Sequence, residues 1–327
     1  KNIKKNLRKF PLELVKCLVC HHVQLSIVVN PNILYKKYIY ESSSSTDLKN
    51  HFRNYYISLS KKIDLKKDSL IVDIGSNDGL FLKNFKPRFK NILGIDPSPI
   101  AKIANQNGIK TIKSYFNKDV CNQILKRRGN VKLITANNVF SHIDDINTCL
   151  INIKNILAED GIFVFEVFHL LNIKKNKVID YVYHEHLDYH SVRALKKFFL
   201  SNMMKIIDIE KVKTKGGSIR VYVAKKNSKY IAKNKKINLI IKEEINNKIF
   251  SKNNYEKLNE EIVNKKDEII KIIKKYKKNK FEILSYGASA TSTVINILFS
   301  LNKFFKYIVD DNKKRQNRYS PYFRKKV

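Results

Sequence analysis

A short segment near the middle of the chain, Tyr183-His184-Glu185-His186, concentrates side chains that can exchange protons. Histidine titrates near neutral pH, and a neighbouring carboxylate or phenol can fix its tautomer and stabilise its cation. His184 and His186 stand two residues apart, so they share a face in a strand but not in a helix, and no cysteine is close to them. We therefore favour general base chemistry over metal binding for this cluster.

A second chemically suggestive segment is the loop Asp73-Ile74-Gly75-Ser76-Asn77-Asp78-Gly79, which follows a short apolar run. Gly75 and Gly79 let the backbone approach a ligand where a side chain would collide. A dinucleotide-binding loop usually has a further glycine where this chain has Asn77, and Asp78 adds a negative charge that disfavours a pyrophosphate. The acidic loop suits a ligand with a sulfonium and an ammonium group, as S-adenosylmethionine has. We predict that this loop binds S-adenosylmethionine.

Four more polar side chains follow predicted strands. Asp96 ends the next strand, where a carboxylate can accept both hydroxyls of an adenosine ribose. Asn137 and Asn138 end a later strand, and His142 follows them by a few residues. The carboxyl ends of parallel strands line one crevice, so we expect the asparagines to border the methionine end of the cofactor, with His142 beside the His186 cluster.

The elements that must position these groups are apolar runs that alternate with amphipathic stretches, which is the pattern of an α/β doubly wound parallel sheet. Helices are expected to begin near Gly79, Pro97 and Asp144. The last two strands are separated by no helix, so they should pair as a hairpin. The predicted strands are Leu70–Ile74, Asn91–Ile95, Val131–Ala136, Ile162–Val167, Met204–Ile209 and Ile219–Ala224.

Three domains are expected. Residues 1–66 show no clear helical or strand period and are interpreted as an N-terminal module or substrate lid. Residues 67–228 hold the predicted cofactor-binding sheet. Residues 229–327 combine one long helix or a helix pair with a small second nucleotide-fold-like unit, in which strands Phe281–Tyr286 and Tyr307–Val309 flank a helix. Because the chain opens on Lys1 and stops after one strand–helix–strand repeat, we expect it to be truncated at both ends.

The composition is strongly basic, with 65 Lys and Arg against 29 Asp and Glu and a formal net charge of +36. The lysines are scattered rather than clustered, so we interpret them as a solvated surface and expect no specific nucleic-acid partner. No apolar run approaches the length of a membrane span, and the four cysteines include one close pair. These features predict a protein of the cytoplasm with no membrane partner.

At the level of motifs the chain resembles the nucleotide-sugar C-methyltransferases, which methylate a carbon next to a keto group of a TDP-deoxysugar. The resemblance extends over nearly the whole sequence. The matching stretches are Cys17-Leu-Val-Cys20, Tyr40-Glu-Ser-Ser43, Asp73-Ile-Gly-Ser-Asn-Asp-Gly-Leu80, Gly94-Ile-Asp-Pro-Ser98, Asn137-Asn-Val-Phe-Ser-His-Ile-Asp144, Gly161-Ile-Phe-Val-Phe-Glu-Val167, Tyr183-His-Glu-His-Leu187, Gly216-Gly-Ser-Ile-Arg220 and Tyr286-Gly-Ala288.

The resemblance implies a class I methyltransferase sheet between an N-terminal zinc-binding module and a C-terminal Rossmann-like domain. It implies that His186 removes a proton next to the keto group, giving an enolate that takes the methyl group, and that the substrate is a nucleotide-linked 4-keto-deoxysugar. It further implies an active site with Tyr183, Glu185, His142 and an N-terminal tyrosine, for which Tyr40 is preferred to Tyr38. The implied cofactor-binding residues are Asp73, Gly75, Asn77, Asp78, Gly79, Asp96, Asn137 and Asn138.

The chain departs from the family pattern at three places. The family carries two Cys-x-x-Cys pairs that complete a structural zinc site, whereas only Cys17 and Cys20 are present here. Lys215 stands where a histidine is common, and Ser289-Ala290-Thr291-Ser292 replaces the usual Pro-Ala-Lys-Gly. The nucleotide, the sugar, the methylated carbon and the oligomeric state stay open.

Three other functions are compatible with parts of the pattern. A methyltransferase for an oxygen or nitrogen atom of another small molecule would use the same cofactor loop, with His186 deprotonating a hydroxyl. An RNA-binding methyltransferase would exploit the positive charge through phosphate contacts. A non-catalytic scaffold for polysaccharide assembly would need neither the cofactor loop nor the histidine cluster.

Overall fold

The computed structural model describes residues 8–35, 38, 40–320 and 322–327. Within them, twelve strands follow one another as β1 (Leu14–Lys16), β2 (Val23–Leu25), β3 (Ile71–Ile74), β4 (Ile92–Ile95), β5 (Thr111–Ile112), β6 (Val131–Asn137), β7 (Leu157–Phe168), β8 (Asp188–Tyr189), β9 (Met204–Val212), β10 (Ser218–Lys225), β11 (Ser285–Tyr286) and β12 (Ile308–Val309).

The same described residues contain eleven α-helices. In chain order they are α1 (Pro31–Tyr35), α2 (Thr46–Lys62), α3 (Leu80–Lys83), α4 (Ala101–Gln106), α5 (Lys118–Arg128), α6 (Ile146–Ile156), α7 (Leu171–Lys175), α8 (Val192–Ser201), α9 (Asn234–Asn246), α10 (Lys252–Lys278) and α11 (Ala290–Leu298). None of these helices combines the length and the apolar character that crossing a bilayer needs.

The central element is a seven-stranded sheet with the strand order β5-β4-β3-β6-β7-β10-β9. Strands β5, β4, β3, β6 and β7 run parallel, whereas β10 is antiparallel to both of its neighbours. The predicted α/β doubly wound sheet and its terminal hairpin are therefore confirmed. The order reverses between β4 and β6 on either side of β3, so a crevice opens at the carboxyl end of β3.

Both faces of this sheet are covered, which explains why its strands are nearly continuous apolar runs. Successive residues of β6 face opposite sides of the sheet. Leu133 packs with α2, α3 and α4 on one face, and Ile134 packs with α5, α6 and α8 on the other. The central strands are thus fixed by burial on two sides. Short polar loops at their carboxyl ends are left to form the site.

The N-terminal segment differs from the sequence prediction. Residues 46–62, for which no helical period was recognised, form helix α2, with the Ser45 hydroxyl accepting a hydrogen bond from the Leu48 amide as N-cap. Phe52, Tyr55 and Leu59 recur at helical spacing and are buried against the sheet. The apolar stripe was present in the sequence but was obscured by the tyrosines and serines around it.

Strands β1 and β2 form a hairpin across the Cys17–Cys20 turn, and β8 joins this hairpin as a third strand. Val23 pairs with Tyr189 in this small sheet. Since β8 directly follows the Tyr183–His186 segment, the hairpin anchors the chain that carries the histidine cluster.

The region after β10 contains two helices, α9 and α10, rather than one long helix. The predicted strand Phe281–Tyr286 is shorter than expected, since only Ser285 and Tyr286 pair, in parallel, with β12. Helix α11 connects the two strands. The expected strand–helix–strand unit is present in this shortened form.

Candidate active site

A cavity of about 640 Å³ opens at the carboxyl ends of β3, β4 and β6. Its wall combines the loop after β3, the N-terminal tyrosines, the histidine cluster and the hairpin between β9 and β10. The predicted site residues that line it are Tyr40, Gly75, Asn77, Asp96, Asn137, Asn138, His142, Tyr183, Glu185 and His186.

The loop after β3 has three residues in left-handed backbone conformation, Gly75 with φ 68°, Asn77 with φ 52° and Gly79 with φ 78°. A Cβ atom at Gly75 would collide with the side chain of Val139, so glycine is required here by packing as well as by φ. Asn77 tolerates the left-handed region better than most residues do. Together they bend the chain sharply, so that the Asn77 amide points to the end of β4.

The side chain of Asp96 accepts a hydrogen bond from that amide. Its Oδ2 accepts a hydrogen bond from the Asn77 amide at 2.9 Å, while its Oδ1 accepts bonds from the Ser98 amide at 2.8 Å and the Ser98 hydroxyl at 2.5 Å. The carboxylate is nearly buried, with 6% of its surface exposed. Asp96 therefore shapes the loop in addition to facing the cavity, and a carboxylate has acceptor capacity left for the hydroxyls of a ligand.

Asp73 lies behind the cavity rather than on its wall. Its Oδ1 accepts a hydrogen bond from the Thr135 hydroxyl at 2.6 Å and lies 3.4 Å from the Asn137 amide nitrogen. Burial raises the pKa of Asp73 to about 7, although the Thr135 bond opposes the shift and Asp96 adds to it. Asp73 acts on the site by orienting Asn137.

Two amide oxygens at the end of β6 are buried in the wall of the cavity. The Oδ1 atoms of Asn137 and Asn138 have no hydrogen-bond partner among the described residues. Buried polar atoms of this kind are normally satisfied, so these two indicate a place where a ligand donates hydrogen bonds. The ammonium group of S-adenosylmethionine is such a donor, and the residues present fit this cofactor.

Asp78 and Gly79 face away from this cavity, toward a neighbouring depression. The Oδ2 atom of Asp78 accepts a hydrogen bond from the Ser43 amide at 2.9 Å, and the other carboxylate oxygen lies 3.3 Å from the Leu80 amide. A Cβ atom at Gly79 would press against Ile109. The structure therefore places these two residues where they hold the loop, apart from the ten predicted residues that line the cavity.

His186 is buried at the centre of the histidine cluster, with 3% of its surface exposed. Its Nδ1 lies 2.7 Å from the carbonyl oxygen of Tyr181, and the two rings stack with centroids 3.9 Å apart. A carbonyl oxygen only accepts, so Nδ1 carries the proton and Nε2 is left as the basic nitrogen. Burial lowers the pKa of His186 well below its usual value, and His142 and Lys215 add to this, so the ring is neutral at pH 7.

The other predicted catalytic side chains surround His186. The His142 ring lies 5.0 Å from the His186 ring and the Tyr183 ring lies 4.1 Å from it, as measured between centroids. Burial lowers the pKa of His142 to about 4 and raises the pKa of Tyr183. Burial also raises the pKa of Glu185, against the opposing effect of Lys215. A neutral imidazole pair beside a carboxyl group is thus available for proton transfer.

His184 and His190, which share the motif region, lie outside this arrangement. His184 points outward, where its Nε2 lies 2.8 Å from the carbonyl oxygen of Pro11. His190 is fully buried against Phe140. Neither contributes to the cavity wall.

Tyrosines of the N-terminal segment cover the histidines. Tyr35, Tyr38 and Tyr40 all line the cavity, and the Tyr35 ring stacks on His142 with centroids 6.4 Å apart. The backbone of this segment is attached to the cofactor loop, because the Asn77 side chain donates to the Tyr40 carbonyl oxygen and accepts from the Ser42 amide, each at 2.9 Å. Both Tyr38 and Tyr40 are thus placed on the cavity wall.

Sequence reasoning gave no role to two residues of this wall. Tyr181 orients His186 through its carbonyl oxygen. Every residue has such an oxygen, so the residue type does not indicate this role. Lys215 projects from the hairpin between β9 and β10, and the sequence marked it only as a departure from the family pattern. Its neighbours Gly216 and Gly217 were the available signal, because paired glycines indicate a tight turn that can present a side chain.

The predicted zinc ligands lie in the turn between β1 and β2. The Cys20 amide lies 3.5 Å from the Cys17 Sγ atom, and the hydrogen bonds of the Cys20 and Val19 amides lower the pKa of Cys17 to about 7. His22 is engaged elsewhere, with its Nε2 2.6 Å from Asp188. The part of the chain that the structure describes contains no group of three or more histidine, cysteine or acidic residues arranged to hold a metal ion.

Two family models match the chain in succession. Residues 49–202 match a methyltransferase domain, and residues 213–325 match a C-methyltransferase C-terminal domain. The C-methyltransferase NovU of Streptomyces niveus is 33% identical over 216 residues, which is 66% of this chain. The matched part is 51% of that protein, so the chain spans about half the length of this curated relative.

The solved structures that are similar to this chain are more distant in sequence. An S-adenosylmethionine-dependent methyltransferase of Clostridium acetobutylicum is 16% identical with a TM-score of 0.42, covering 54% of this chain and 91% of its own. Magnesium protoporphyrin IX methyltransferase of Synechocystis with bound SAH is 12% identical with a TM-score of 0.41, covering 54% and 83%.

Proposed function

Since the chain belongs to the S-adenosylmethionine-dependent methyltransferases, we propose that it methylates a carbon atom beside the keto group of a nucleotide-linked 4-keto-deoxysugar. The C-methyltransferase C-terminal domain and the similarity to NovU support carbon as the methyl acceptor. The observation that carries the proposal is the tautomer of His186. Its Nδ1 is committed to the Tyr181 carbonyl oxygen at 2.7 Å, so Nε2 is the available base.

The cofactor would be held by the loop after β3 and by the ends of β4 and β6. Asp96 would accept the ribose hydroxyls, and Asn137 and Asn138 would accept from the ammonium group with their unpaired amide oxygens. Gly75 and Asn77 supply the bend that brings these groups together. When bound, the cofactor supplies an electrophilic methyl group, and its sulfur keeps the bonding pair as the methyl group leaves.

His186 would remove the proton from the carbon next to the keto group. Burial keeps its imidazole neutral and therefore able to accept a proton at neutral pH. Tyr183 and His142 flank the ring, while Glu185 would stabilise the imidazolium that forms. Tyr40 would contact the sugar from the N-terminal side of the cavity.

The three-domain division at residues 1–66, 67–228 and 229–327 remains part of this proposal, and it includes a structural zinc ion in the first domain. Cys17 and Cys20 fit two positions of a tetrahedral zinc site, because their turn directs backbone amides at the Cys17 sulfur. Zinc titration of the purified chain and of Cys17→Ser, followed by metal analysis after dialysis, tests this. Equal zinc retention by both would rule out Cys17 as a ligand.

An isotope experiment tests the base. In heavy water, with the demethylated cofactor and a panel of nucleotide-linked keto-sugars, the protein should wash deuterium into the carbon beside the ketone. His186→Ala should lose about 10²–10⁴-fold of this rate, as expected for a positioned base, and should retain cofactor binding. His184→Ala is the matched control, because His184 points away from the cavity. If no keto-sugar exchanges, or if exchange persists unchanged in His186→Ala, the proposal fails.

A further inference from the structure

Lys215 occupies an unusual backbone conformation at the edge of the cavity. Its φ and ψ angles are 56° and 33°, in the left-handed region that is unfavourable for a residue with a side chain. Gly216 and Gly217 follow it with φ angles of 78° and 118°. Lys177, Lys248 and Lys280 share this conformation, so at Lys215 the turn matters for where it directs the side chain.

The hairpin loop that carries Lys215 is fastened to helix α7 and the residue after it. The Asn172 side chain donates to the Gly217 carbonyl oxygen at 2.7 Å, and the Asn176 side chain donates to the Gly216 carbonyl oxygen at 3.0 Å. The Gly217 amide also donates to the Thr214 carbonyl oxygen at 2.9 Å. These bonds compensate the strain at Lys215 and fix where its side chain starts.

From this position the ammonium group faces the cavity. It lies 5.9 Å from the centroid of the Tyr40 ring, and the side chain remains open to the solvent that fills the cavity. The surrounding walls nevertheless desolvate it, which lowers the pKa of Lys215, while Glu185 opposes the shift. Its charge in turn lowers the pKa of both His142 and His186. A cation therefore stands beside the proposed base.

The proposed reaction needs a cation at this place. Removal of a proton from a carbon beside a ketone leaves negative charge on the keto oxygen, which is attached to the neighbouring carbon. A donor already in position for that oxygen stabilises the transition state more than the substrate, because the charge develops only as the proton leaves. The described cavity wall contains two lysines, Lys118 and Lys215, and it is Lys215 whose charge acts on the neutral imidazoles of His142 and His186.

We propose that Lys215 is a catalytic residue whose ammonium group donates a hydrogen bond to the keto oxygen as His186 removes the proton from the adjacent carbon. This inference rests on the proposed function. The carbon-bound proton moves to Nε2 of His186, the C–H bonding pair becomes the carbon–carbon double bond, and the carbonyl π pair moves onto oxygen. The oxygen is then held by the Lys215 ammonium until the carbonyl bond re-forms.

Glu185 and Lys215 are two oppositely charged residues of the cavity wall, whose other charged residues are Asp96, Lys118, Asp144 and Asp145. Burial lowers the pKa of Lys215 and Glu185 opposes this shift, so the carboxylate favours the ammonium form of the lysine. The lysine opposes the rise of the Glu185 pKa, so the carboxylate is favoured. The two groups therefore favour each other's charged forms, and the ammonium group is available for the negative charge that develops on the enolate.

The test compares Lys215→Met with Lys213→Met. Lys213 lies on the same loop, is exposed and does not line the cavity, so its variant controls for loop and surface-charge effects. In heavy water with the demethylated cofactor, and in methyl transfer, Lys215→Met should lose about 10²–10³-fold in rate, with the KM for the keto-sugar changed less than about threefold. Lys215→Arg, which restores a cation, should recover about a tenth or more of the wild-type rate.

The outcomes separate this inference from the proposed function. If wild-type protein exchanges no keto-sugar of the panel, the proposed function fails, and the role of Lys215 fails with it. If wild type exchanges and Lys215→Met matches Lys213→Met, only the role of Lys215 is overturned. A KM raised tenfold or more at unchanged kcat would also overturn it, because it would show that the lysine binds an anionic group of the substrate. Thermal denaturation of both variants confirms that they are folded.

Discussion

The side chain of Asn77 donates a hydrogen bond to the carbonyl oxygen of Tyr40 at 2.9 Å, which joins the predicted cofactor loop to the N-terminal tyrosine segment. The same side chain accepts from the Ser42 amide at 2.9 Å. The loop proposed to hold the cofactor is thereby attached to the segment proposed to contact the sugar.

Asn77→Gly should release the segment without straining the loop, because glycine adopts the left-handed conformation at no steric cost. Loss of two hydrogen bonds of about 0.5–1.5 kcal/mol each should speed amide exchange at Ser42 about fivefold or more. Hydrogen–deuterium exchange with peptide resolution measures this. The amides of β10 serve as the internal reference. Unchanged exchange at Ser42 would show that the segment is held by other contacts.

Asp96→Ala should weaken both S-adenosylmethionine and its demethylated product by roughly 1.5–3 kcal/mol, through loss of charge-assisted hydrogen bonds. Ser98→Ala is the matched control, because it removes one of the donors to Asp96 and leaves the carboxylate in place. Its cost should stay near 1 kcal/mol. Calorimetric titration measures both. Equal losses in the two variants would mean that Asp96 acts by shaping the loop and makes no bond to the ribose.

The sheet was predictable because its strands are buried on both faces and read as apolar runs between polar loops. The short strand β5 was missed, since Thr111 and Ile112 alone provide no pattern. Helix α8 was missed although Val192, Leu195 and Phe199 lie at helical spacing after the N-cap Ser191. Its sequence directly follows the histidine motif. The region was therefore interpreted as part of that motif, and no helix was predicted there.

Site residues could be predicted from the sequence where the side chain itself is the reactive or binding group, as at His186 and Asp96. They could not be predicted where the role depends on the position or conformation of the backbone. Tyr181 acts through a carbonyl oxygen, which every residue has, and Lys215 depends on a left-handed turn fastened by Asn172. Contacts between residues far apart in sequence decide such cases, and a single sequence does not encode them in a local pattern.

Glu244 of α9 is a fully buried carboxylate that joins the C-terminal helices to the sheet domain. It accepts from the Val192 amide at 2.6 Å and the Arg193 amide at 3.1 Å, at the start of α8, and its Oε1 lies 2.7 Å from His169 Nε2. Glu244→Ala should lower the free energy of unfolding by about 3–5 kcal/mol, because buried donors and a histidine lose their partner.

Glu243→Ala is the matched control for this prediction, since the neighbouring carboxylate pairs with Lys175 and Lys211 near the surface. Its effect should stay below about 1 kcal/mol. Urea denaturation followed by circular dichroism compares the two variants. A loss for Glu244→Ala no larger than that for Glu243→Ala would show that the buried carboxylate adds no net stability.

The raised pKa of Asp73 makes a prediction about cofactor binding and pH. Burial raises the pKa of Asp73 to about 7, so below that pH the carboxyl group is largely protonated. A cationic ligand near Asn137 favours the ionised form, so binding should lower this pKa and release a proton. Affinity for S-adenosylmethionine should therefore fall as the pH drops through about 7, by up to tenfold per pH unit, and stay level above it.

Calorimetric titration from about pH 5.5 to about pH 8.5 measures this dependence. Asp73→Asn should flatten it, and Thr135→Val should move the midpoint to higher pH, because the Thr135 hydroxyl opposes the rise of the Asp73 pKa. His142, with a pKa of about 4, and His186, with a pKa well below its usual value, stay neutral over most of the range. The demethylated product lacks the sulfonium charge, so its affinity should depend less on pH. A pH dependence that is the same in wild type and Asp73→Asn would assign the released proton to another group, with Glu185 as the next to test.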